Sequence, residues 1–246
     1  MPQSEALLTL LLDFDGTLVP IGPTPDAIEV TAALRGLVAD ASEQLDRRVA
    51  LISGRSLNQL DEFWGRSLLP VTVAASHGLE LRHDGHRCAP PLADIFPRLV
   101  REIDKAFPAG GGVVVELKSF GVGLHYRLAP DRREAVRAWA QEHAAEHDLI
   151  VQPGDMVFEL RLSGADKGDA VRTIMDLPHF KGTRPFYIGD DLTDIPGIAA
   201  ARAFGGSGIA VGNRIAAYAD EVVPSPAAVH DRIHALLNGA AKAFVT

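Results

Sequence analysis

Hydrophobic residues along the chain fall into short uninterrupted runs that alternate with amphipathic stretches. The runs at 7–12, 48–53 and 71–76 have the length of a buried strand. After the first two runs, apolar residues recur at roughly helical spacing, at 26–45 and at 57–64. This alternation is typical of βα units on a parallel sheet, and it predicts an α/β fold.

The predicted strands run directly into polar clusters. Asp13 and Asp15 follow the first strand, Ser53 ends the second, and the segments at 184–191 and 208–213 repeat the arrangement near the C-terminus. Open α/β sheets bind their ligands at the carboxyl ends of their strands. We therefore expect the functional residues to lie together at that edge of the sheet.

The middle of the chain has a different pattern. Segment 80–92 is typical of a hairpin with Asp84-Gly85 at its turn, and a Pro-Pro break follows it. The elements predicted next are a helix (92–107), strands near 112–117 and 122–128, a helix (131–146) and strands near 149–151 and 156–162. This mixed order indicates a smaller α+β domain at 91–165, inserted into a core domain formed by 1–90 and 166–246.

Composition narrows the classes of partner. The formal charge of −8, from 24 basic and 32 acidic residues, argues against a nucleic-acid or anionic-membrane surface. The single cysteine, Cys88, excludes an intrachain disulfide and a multi-cysteine metal site. The N-terminus lacks the basic stretch of a signal peptide, so we expect a cytoplasmic protein. The sequence does not define the oligomeric state, and a monomer is the working assumption.

The pair Asp13 and Asp15, in the string "DFDGTL", carries the first chemical signal. Two carboxylates beside a Gly-Thr turn offer the oxygen ligands that Mg²⁺ prefers. An aspartate is also a covalent nucleophile toward phosphorus. A second carboxylate nearby is placed to protonate a leaving group and then to activate water. The alternative is a turn that merely caps the strand.

The string "DFDGTL" resembles the first motif of the haloacid dehalogenase superfamily of phosphotransferases, and three further motifs match in order. The resemblance implies that Ser53, in "ALISGR", and the N–H of Gly54 bind the phosphoryl group. It implies that Lys167, in "GADKGDAV", offsets the negative charge, and that Asp190, in "IGDDLTD", completes a metal site. Taken alone, Ser53 is more typical of a turn residue at a strand end, and Lys167 of a surface lysine at the start of a helix. The four motifs together favour the catalytic interpretation.

The same resemblance assigns each acidic residue a role. Asp13 is the expected nucleophile and Asp15 the expected acid–base, with Lys167 as the third catalytic residue. Mg²⁺ is the expected cofactor, with Asp13, Asp15 and Asp190 as its ligands. Asp191 and Asp194 are expected to orient Lys167 or metal-bound water.

Most of the chain, from about residue 8 to about residue 235, resembles trehalose-6-phosphate phosphatases. The resemblance rests on "SGR" (53–55), "SHGLE" (76–80), "ELKSFGVGLHYR" (116–127), "FELR" (158–161) and "GDDLTD" (189–194). It implies a Rossmann-like core and an inserted α+β cap of the C2 type. The substrate-binding residues that it implies are Arg55, His77 and Gly78 in the core and Lys118, Glu159 and Arg127 in the cap.

At two positions the roles of the family's residues are less directly assigned to this sequence. Ile195 stands where the family's acidic motif usually continues with another acid, so one outer carboxylate is missing. From the residues alone, Lys118 is equally typical of a surface partner of Glu116, two positions before it on the same predicted strand.

The sequence therefore predicts a Mg²⁺-dependent phosphatase that converts trehalose 6-phosphate to trehalose and phosphate through an aspartyl-phosphate intermediate. Its partner would be a small sugar phosphate, without nucleic acid or membrane. The alternatives are a phosphatase acting on sucrose phosphate or a glycosyl phosphoglycerate, and a non-catalytic sugar-phosphate sensor.

Overall fold

The computed structural model describes residues 7–68, 70–90 and 94–243. Two compact units form: Met1–Ile21, Glu29–Ala89 and Ala165–Thr246 make up the first, and Gly22–Ile28 with Pro90–Gly164 the second. The predicted Pro-Pro break extends into residues 91–93, which lie outside the described residues. So do the first six residues, on which the expectation about a signal peptide rests.

The secondary structure comprises twelve strands and seven α-helices within the described residues. The strands are β1 (Leu8–Leu12), β2 (Val49–Ile52), β3 (Thr72–Ala75), β4 (Glu80–His83), β5 (His86–Cys88), β6 (Val114–Lys118), β7 (Gly121–His125), β8 (Ile150–Gly154), β9 (Val157–Arg161), β10 (Arg184–Gly189), β11 (Ser207–Val211) and β12 (Glu221–Val223). The helices are α1 (Ala32–Gln44), α2 (Leu57–Trp64), α3 (Ile95–Ala106), α4 (Arg133–Glu146), α5 (Lys167–Asp176), α6 (Ile195–Ala203) and α7 (Pro226–Ala243). None of these helices is long and apolar enough to cross a membrane.

The first unit is built on an eight-stranded sheet with the order β12-β11-β10-β1-β2-β3-β4-β5. The six strands from β12 to β3 run parallel, which confirms the sequence-based prediction. Strand β1 lies at the centre, and four of its five residues are buried. A central parallel strand is covered on both faces, and this explains its nearly continuous apolar run. The predicted hairpin at Asp84-Gly85 is also confirmed, since both residues have positive φ.

Helix α1 begins later than the apolar spacing predicted. The pattern started at residue 26, but the helix starts at Ala32. Thr31 is in an extended conformation, and its hydroxyl accepts a hydrogen bond from the N–H of Leu34 at 3.2 Å. A threonine at this position satisfies one of the unpaired N–H groups of the first turn, so the cap determines where the helix starts.

The second unit contains a four-stranded antiparallel sheet with the order β6-β7-β9-β8. One face packs against α3 and α4 through a buried apolar cluster that includes Val122, Leu124, Phe158 and Leu160. Side chains alternate between the faces of a strand. The opposite face carries six polar side chains, and we call this group the polar sheet face: Glu116, Lys118, His125, Gln152, Glu159 and Arg161.

Candidate active site

Three adjacent strands of the first unit bring the candidate residues together. Asp13 follows β1, Ser53 follows β2 and Asp190 follows β10, and these strands are neighbours in the sheet. The carboxyl ends of parallel strands meet at one edge, so residues far apart in sequence converge there. Lys167 joins them from the first turn of α5.

Asp13 is buried at the end of β1, where its backbone N–H donates to the carbonyl of Ile188 at 2.9 Å. Its Oδ1 accepts a hydrogen bond from Lys167 Nζ at 2.7 Å. The strand therefore holds the backbone of Asp13 rigidly, and the lysine orients its carboxylate.

Lys167 lies between two carboxylates, with Nζ donating to Asp13 Oδ1 at 2.7 Å and to Asp194 Oδ1 at 2.6 Å. Its side chain is only 4% exposed. Burial lowers the pKa of the ammonium, but the charges of Asp13 and Asp194 outweigh burial and raise it well above its usual range. Lys167 is therefore a permanent cation at the site.

Asp194 is fully buried, and both of its oxygens are occupied. Oδ1 accepts from Lys167 and from the hydroxyl of Tyr187 at 2.7 Å. Oδ2 accepts from the N–H groups of Asp190 and Asp191, each at 3.0 Å. Asp194 thus connects the lysine to the loop that carries the other acids.

Tyr187 was not among the residues predicted from sequence. It is fully buried on β10, and burial followed by the charge of Asp194 raises the pKa of its hydroxyl well above the ordinary value. The hydroxyl therefore stays protonated and donates to Asp194. The only sequence signal was a tyrosine within an otherwise apolar strand, which is equally typical of a core residue.

Asp13, Asp190 and Asp194 form an acidic cluster, with one carboxylate oxygen of each lying within 4.8 Å of the others. Closely spaced carboxylate oxygens are ligands suited to a hard divalent cation. Both oxygens of Asp194 already accept hydrogen bonds, so Asp13 and Asp190 are the candidate ligands of this cluster. The carboxylate of Asp15 does not belong to the cluster, and its role as a metal ligand stays a prediction.

Gly16 is required for the approach of Asp190 to this cluster. Its φ is +78°, and a Cβ at this position would lie 2.1 Å from Asp190 Oδ2. Any larger residue would therefore displace the carboxylate. This packing gives a structural reason for the glycine in the string "DFDGTL".

The acids of the site have raised pKa values because they are buried close to one another. Burial, and then the charge of Asp194, raise the pKa of Asp13 to about 7. Burial, and then the charge of Asp13, raise the pKa of Asp190 to about 9. Asp191 has its pKa raised by burial, while Arg214, whose Nε lies 2.8 Å from Asp191 Oδ1, opposes the shift. Without a bound metal ion, full ionisation of these carboxylates is electrostatically unfavourable, even with Lys167 beside them.

We expect the metal-free protein to lose stability as the pH rises. Asp13 and Asp190 hold protons in the native state up to about pH 7 and about pH 9, whereas both release them near the ordinary value of 3.8 when unfolded. The native state therefore binds more protons than the unfolded state across this interval. The free energy of unfolding in EDTA should fall by about 5 kcal/mol between pH 5.5 and pH 8, of which Asp13 contributes about 2 kcal/mol and Asp190 about 3 kcal/mol.

Urea denaturation at the two pH values measures this change. Millimolar Mg²⁺ should restore stability more at pH 8 than at pH 5.5, because a metal binds the ionised carboxylates. Asp190→Asn should flatten the pH dependence in EDTA. A free energy of unfolding in EDTA that rises over this interval would contradict the prediction.

The loops after β2 and β3 are joined around Ser53. Its carbonyl accepts from the N–H of His77 at 2.9 Å, and its Oγ accepts from the N–H of Arg55 at 3.1 Å. A Cβ on Gly54 would lie 2.7 Å from His77 Nε2, so the glycine allows the imidazole to pack closely. His77 and Gly78 both have positive φ. The structure thus brings Ser53, Gly54, Arg55 and His77 together in one tight arrangement.

Asp15, which is not part of the acidic cluster, pairs with Arg55. The guanidinium donates from Nε to Oδ2 and from Nη2 to Oδ1, both at 2.7 Å. The sequence did not predict this contact, because 40 residues separate the partners.

The predicted cap residues divide into two groups. Lys118 and Glu159 form an ion pair on the polar sheet face, while Lys118 Nζ and Glu116 Oε2 are 3.8 Å apart. Arg127 instead donates to Oδ2 of Asp155 at 2.6 Å and to its carbonyl at 3.0 Å. The structure brings Lys118 and Glu159 together without Arg127, and the substrate-binding role of all three stays a prediction.

Comparison with known proteins gives consistent matches over most of the chain. The trehalose-phosphatase family model matches residues 11–210. A probable trehalose-phosphate phosphatase of Sinorhizobium fredii is 38% identical over 234 residues, covering 92% of this chain and 86% of the relative. The trehalose-6-phosphate phosphatase of Escherichia coli is 33% identical over 215 residues, covering 86% of this chain and 80% of the relative.

Solved structures share the fold. A protein described as related to trehalose-6-phosphate phosphatase matches with a TM-score of 0.78 and 25% identity, covering 96% of this chain and 99% of its own. A haloacid dehalogenase-like hydrolase from B. subtilis has a TM-score of 0.65 at 16% identity, a likeness that concerns the fold alone. The predicted fold class is therefore confirmed.

Proposed function

The chain belongs to the trehalose-phosphatase family, and from this premise we propose that it hydrolyses trehalose 6-phosphate to trehalose and inorganic phosphate. The observation that carries the proposal is the buried contact between Asp13 and Lys167 at the end of the central strand. A nucleophile held by a cation in this way is suited to attack on a phosphate ester. A sensor that only binds a sugar phosphate would not need it.

The reaction would proceed in two displacements. A carboxylate oxygen of Asp13 attacks phosphorus and forms an aspartyl phosphate, while the bond to the sugar oxygen breaks and Asp15 gives that oxygen its proton. Water then attacks phosphorus, and Asp15 takes back a proton as the bond to Asp13 breaks. Both residues end in their starting states, with trehalose and phosphate released.

The remaining residues stabilise the transferring group. Lys167 offsets the charge of the nucleophile and the phosphate, and Ser53 with the N–H of Gly54 would bind the phosphoryl oxygens. Asp13 and Asp190 would hold Mg²⁺ beside Asp194, in accord with the oxygen-rich cluster. When bound, this ion supplies positive charge that lets a phosphate dianion approach the acids.

Rates of phosphate release with a panel of esters test the proposed substrate. The panel contains trehalose 6-phosphate, sucrose phosphate and a glycosyl phosphoglycerate, each with Mg²⁺ and with EDTA. We expect trehalose 6-phosphate to be hydrolysed fastest, and EDTA to abolish the activity. Equal rates on all three esters would overturn the substrate assignment, and release of phosphate from none of them would favour a sensor.

Glu159 on the polar sheet face is proposed to bind sugar hydroxyls together with Lys118. Sites that hydrogen-bond a substrate hydroxyl discriminate strongly, because an unpaired buried polar group is costly. Glu159→Gln is expected to raise KM for trehalose 6-phosphate about 10-fold or more, since it removes the charge that holds Lys118. The rate with p-nitrophenyl phosphate, which has no sugar, should stay unchanged.

Steady-state kinetics on both substrates measure this difference. Glu142→Gln, on the exposed side of α4, is a matched control and should leave both KM values unchanged. An equal loss on both substrates would contradict a role in sugar recognition. The expected cytoplasmic location and monomeric state stay predictions.

A further inference from the structure

Asp15 and Arg55 form a bidentate ion pair in the first unit, with both carboxylate oxygens accepting from the guanidinium at 2.7 Å. The side chain of Arg55 is 7% exposed, whereas that of Asp15 is 35% exposed. The buried partner is therefore the cation, and the carboxylate keeps access to solvent. A fork-to-fork pair of this kind defines both the position and the plane of the carboxylate.

The position of Arg55 is itself determined by its surroundings. Its guanidinium carbon lies 4.8 Å from the ring centroid of Phe63 and 5.7 Å from that of Phe14. Its backbone N–H donates to Ser53 Oγ at 3.1 Å, and its carbonyl accepts from the N–H of Ser76 at 2.8 Å. These contacts hold the arginine before any substrate binds.

The pair leaves Asp15 able to transfer a proton. A carboxylate has about four lone-pair sites, and the bidentate contact uses two of them. A proton-transfer group must lie within hydrogen-bond reach of the reacting oxygen, so its orientation limits the rate. Without the arginine, this partly exposed carboxylate would sample several rotamers.

We propose that Arg55 is a positioning residue that acts through Asp15, rather than a group that binds the phosphate or the sugar. The proposal rests on the proposed phosphatase function and departs from the family-based expectation that Arg55 contacts substrate. It assigns the arginine to the proton-transfer step alone. Its loss should therefore affect kcat, whereas loss of a substrate contact would affect KM.

A double-mutant cycle tests this assignment. Asp15→Asn should lower kcat for trehalose 6-phosphate by about 10²-fold or more, and Arg55→Lys, which cannot form the bidentate pair, by about 10-fold. KM should stay within about 2-fold in Arg55→Lys, because this variant removes no substrate contact. The double variant should be no slower than Asp15→Asn, since residues that act as a unit are not additive.

The leaving group provides a second readout. Nitrophenolate leaves without being protonated, so the first-turnover burst with p-nitrophenyl phosphate should be nearly unchanged in Arg55→Lys. Arg202→Lys is the matched control: Arg202 forms a bidentate pair with Asp220, at 3.0 Å for both contacts, on the exposed surface. This variant should keep the unchanged protein's kcat with trehalose 6-phosphate.

Three outcomes would overturn the proposal: a raised KM with unchanged kcat in Arg55→Lys, additive losses in the double variant, or a burst reduced as much as the turnover of trehalose 6-phosphate. Failure of the proposed function looks different, because the unchanged protein would then release no phosphate from trehalose 6-phosphate. The p-nitrophenyl phosphate burst still reports on Arg55 in that case, and a burst lost in Arg55→Lys would count against the proposal.

Discussion

Asp13→Asn should lower phosphate release from trehalose 6-phosphate by about 10⁴-fold or more, because an amide cannot form the aspartyl phosphate. The asparagine side chain has nearly the same size and retains an oxygen for Lys167. The ammonium also keeps its contact with Asp194. The loss should therefore be one of chemistry, with the fold preserved.

A phosphate-release assay measures the loss of activity, and an acid-quench assay for the labelled acyl phosphate measures the loss of the intermediate. The intermediate should accumulate in the unchanged protein and be absent in Asp13→Asn. Asp40→Asn, at an exposed position on α1, is the matched control and should keep full activity. Activity within about 10-fold of the unchanged protein would exclude Asp13 as the nucleophile.

Lys167→Met should have the largest effect on stability. Its removal leaves Asp13 and Asp194 buried with neighbouring negative charge and without the cation that both contact. Breaking a buried ion pair from one side typically costs 3–5 kcal/mol, so we expect a loss of about 4 kcal/mol in the free energy of unfolding at pH 8 in EDTA. Activity should be lost as well.

Urea denaturation of matched variants checks this origin. The loss should be smaller at pH 5.5, because Asp13, whose pKa is already raised to about 7, is then protonated. Adding Asp194→Asn to Lys167→Met should recover part of the stability, since it removes one uncompensated charge. Lys181→Met, at an exposed position, should change the free energy of unfolding by less than about 0.5 kcal/mol. A comparably small effect in Lys167→Met would contradict the proposed charge balance.

Position 195, where the family usually has an acidic residue, has an apolar role in this structure. Ile195 begins α6 and packs, partly buried, against the apolar core of the first unit. Lys167 is nevertheless held by Asp13 and Asp194, the two carboxylates that accept its hydrogen bonds. Orientation of the lysine therefore does not depend on a further carboxylate at position 195.

The sequence by itself determined the local order of the site. Asp13, Ser53 and Asp190 each end an apolar run, and adjacent parallel strands necessarily bring such ends to one edge. The alternation of apolar runs and amphipathic stretches also predicted a parallel sheet, and the pair Asp84-Gly85 predicted the hairpin, because strand patterns and turns are local features of the sequence. The apolar spacing placed the start of α1 at residue 26, which is too early. The helix starts after Thr31, whose side chain caps its first turn.

Only the tertiary structure decided which partners these side chains take. Lys118 pairs with Glu159 on a non-adjacent strand and lies farther from Glu116 on its own strand, because the intervening glycines of β7 leave space across the sheet. Tyr187 and Asp194, and Asp15 and Arg55, likewise meet through folding. Hydrogen bonds and ion pairs depend on distances of a few tenths of an ångström, and only the packed chain sets those distances.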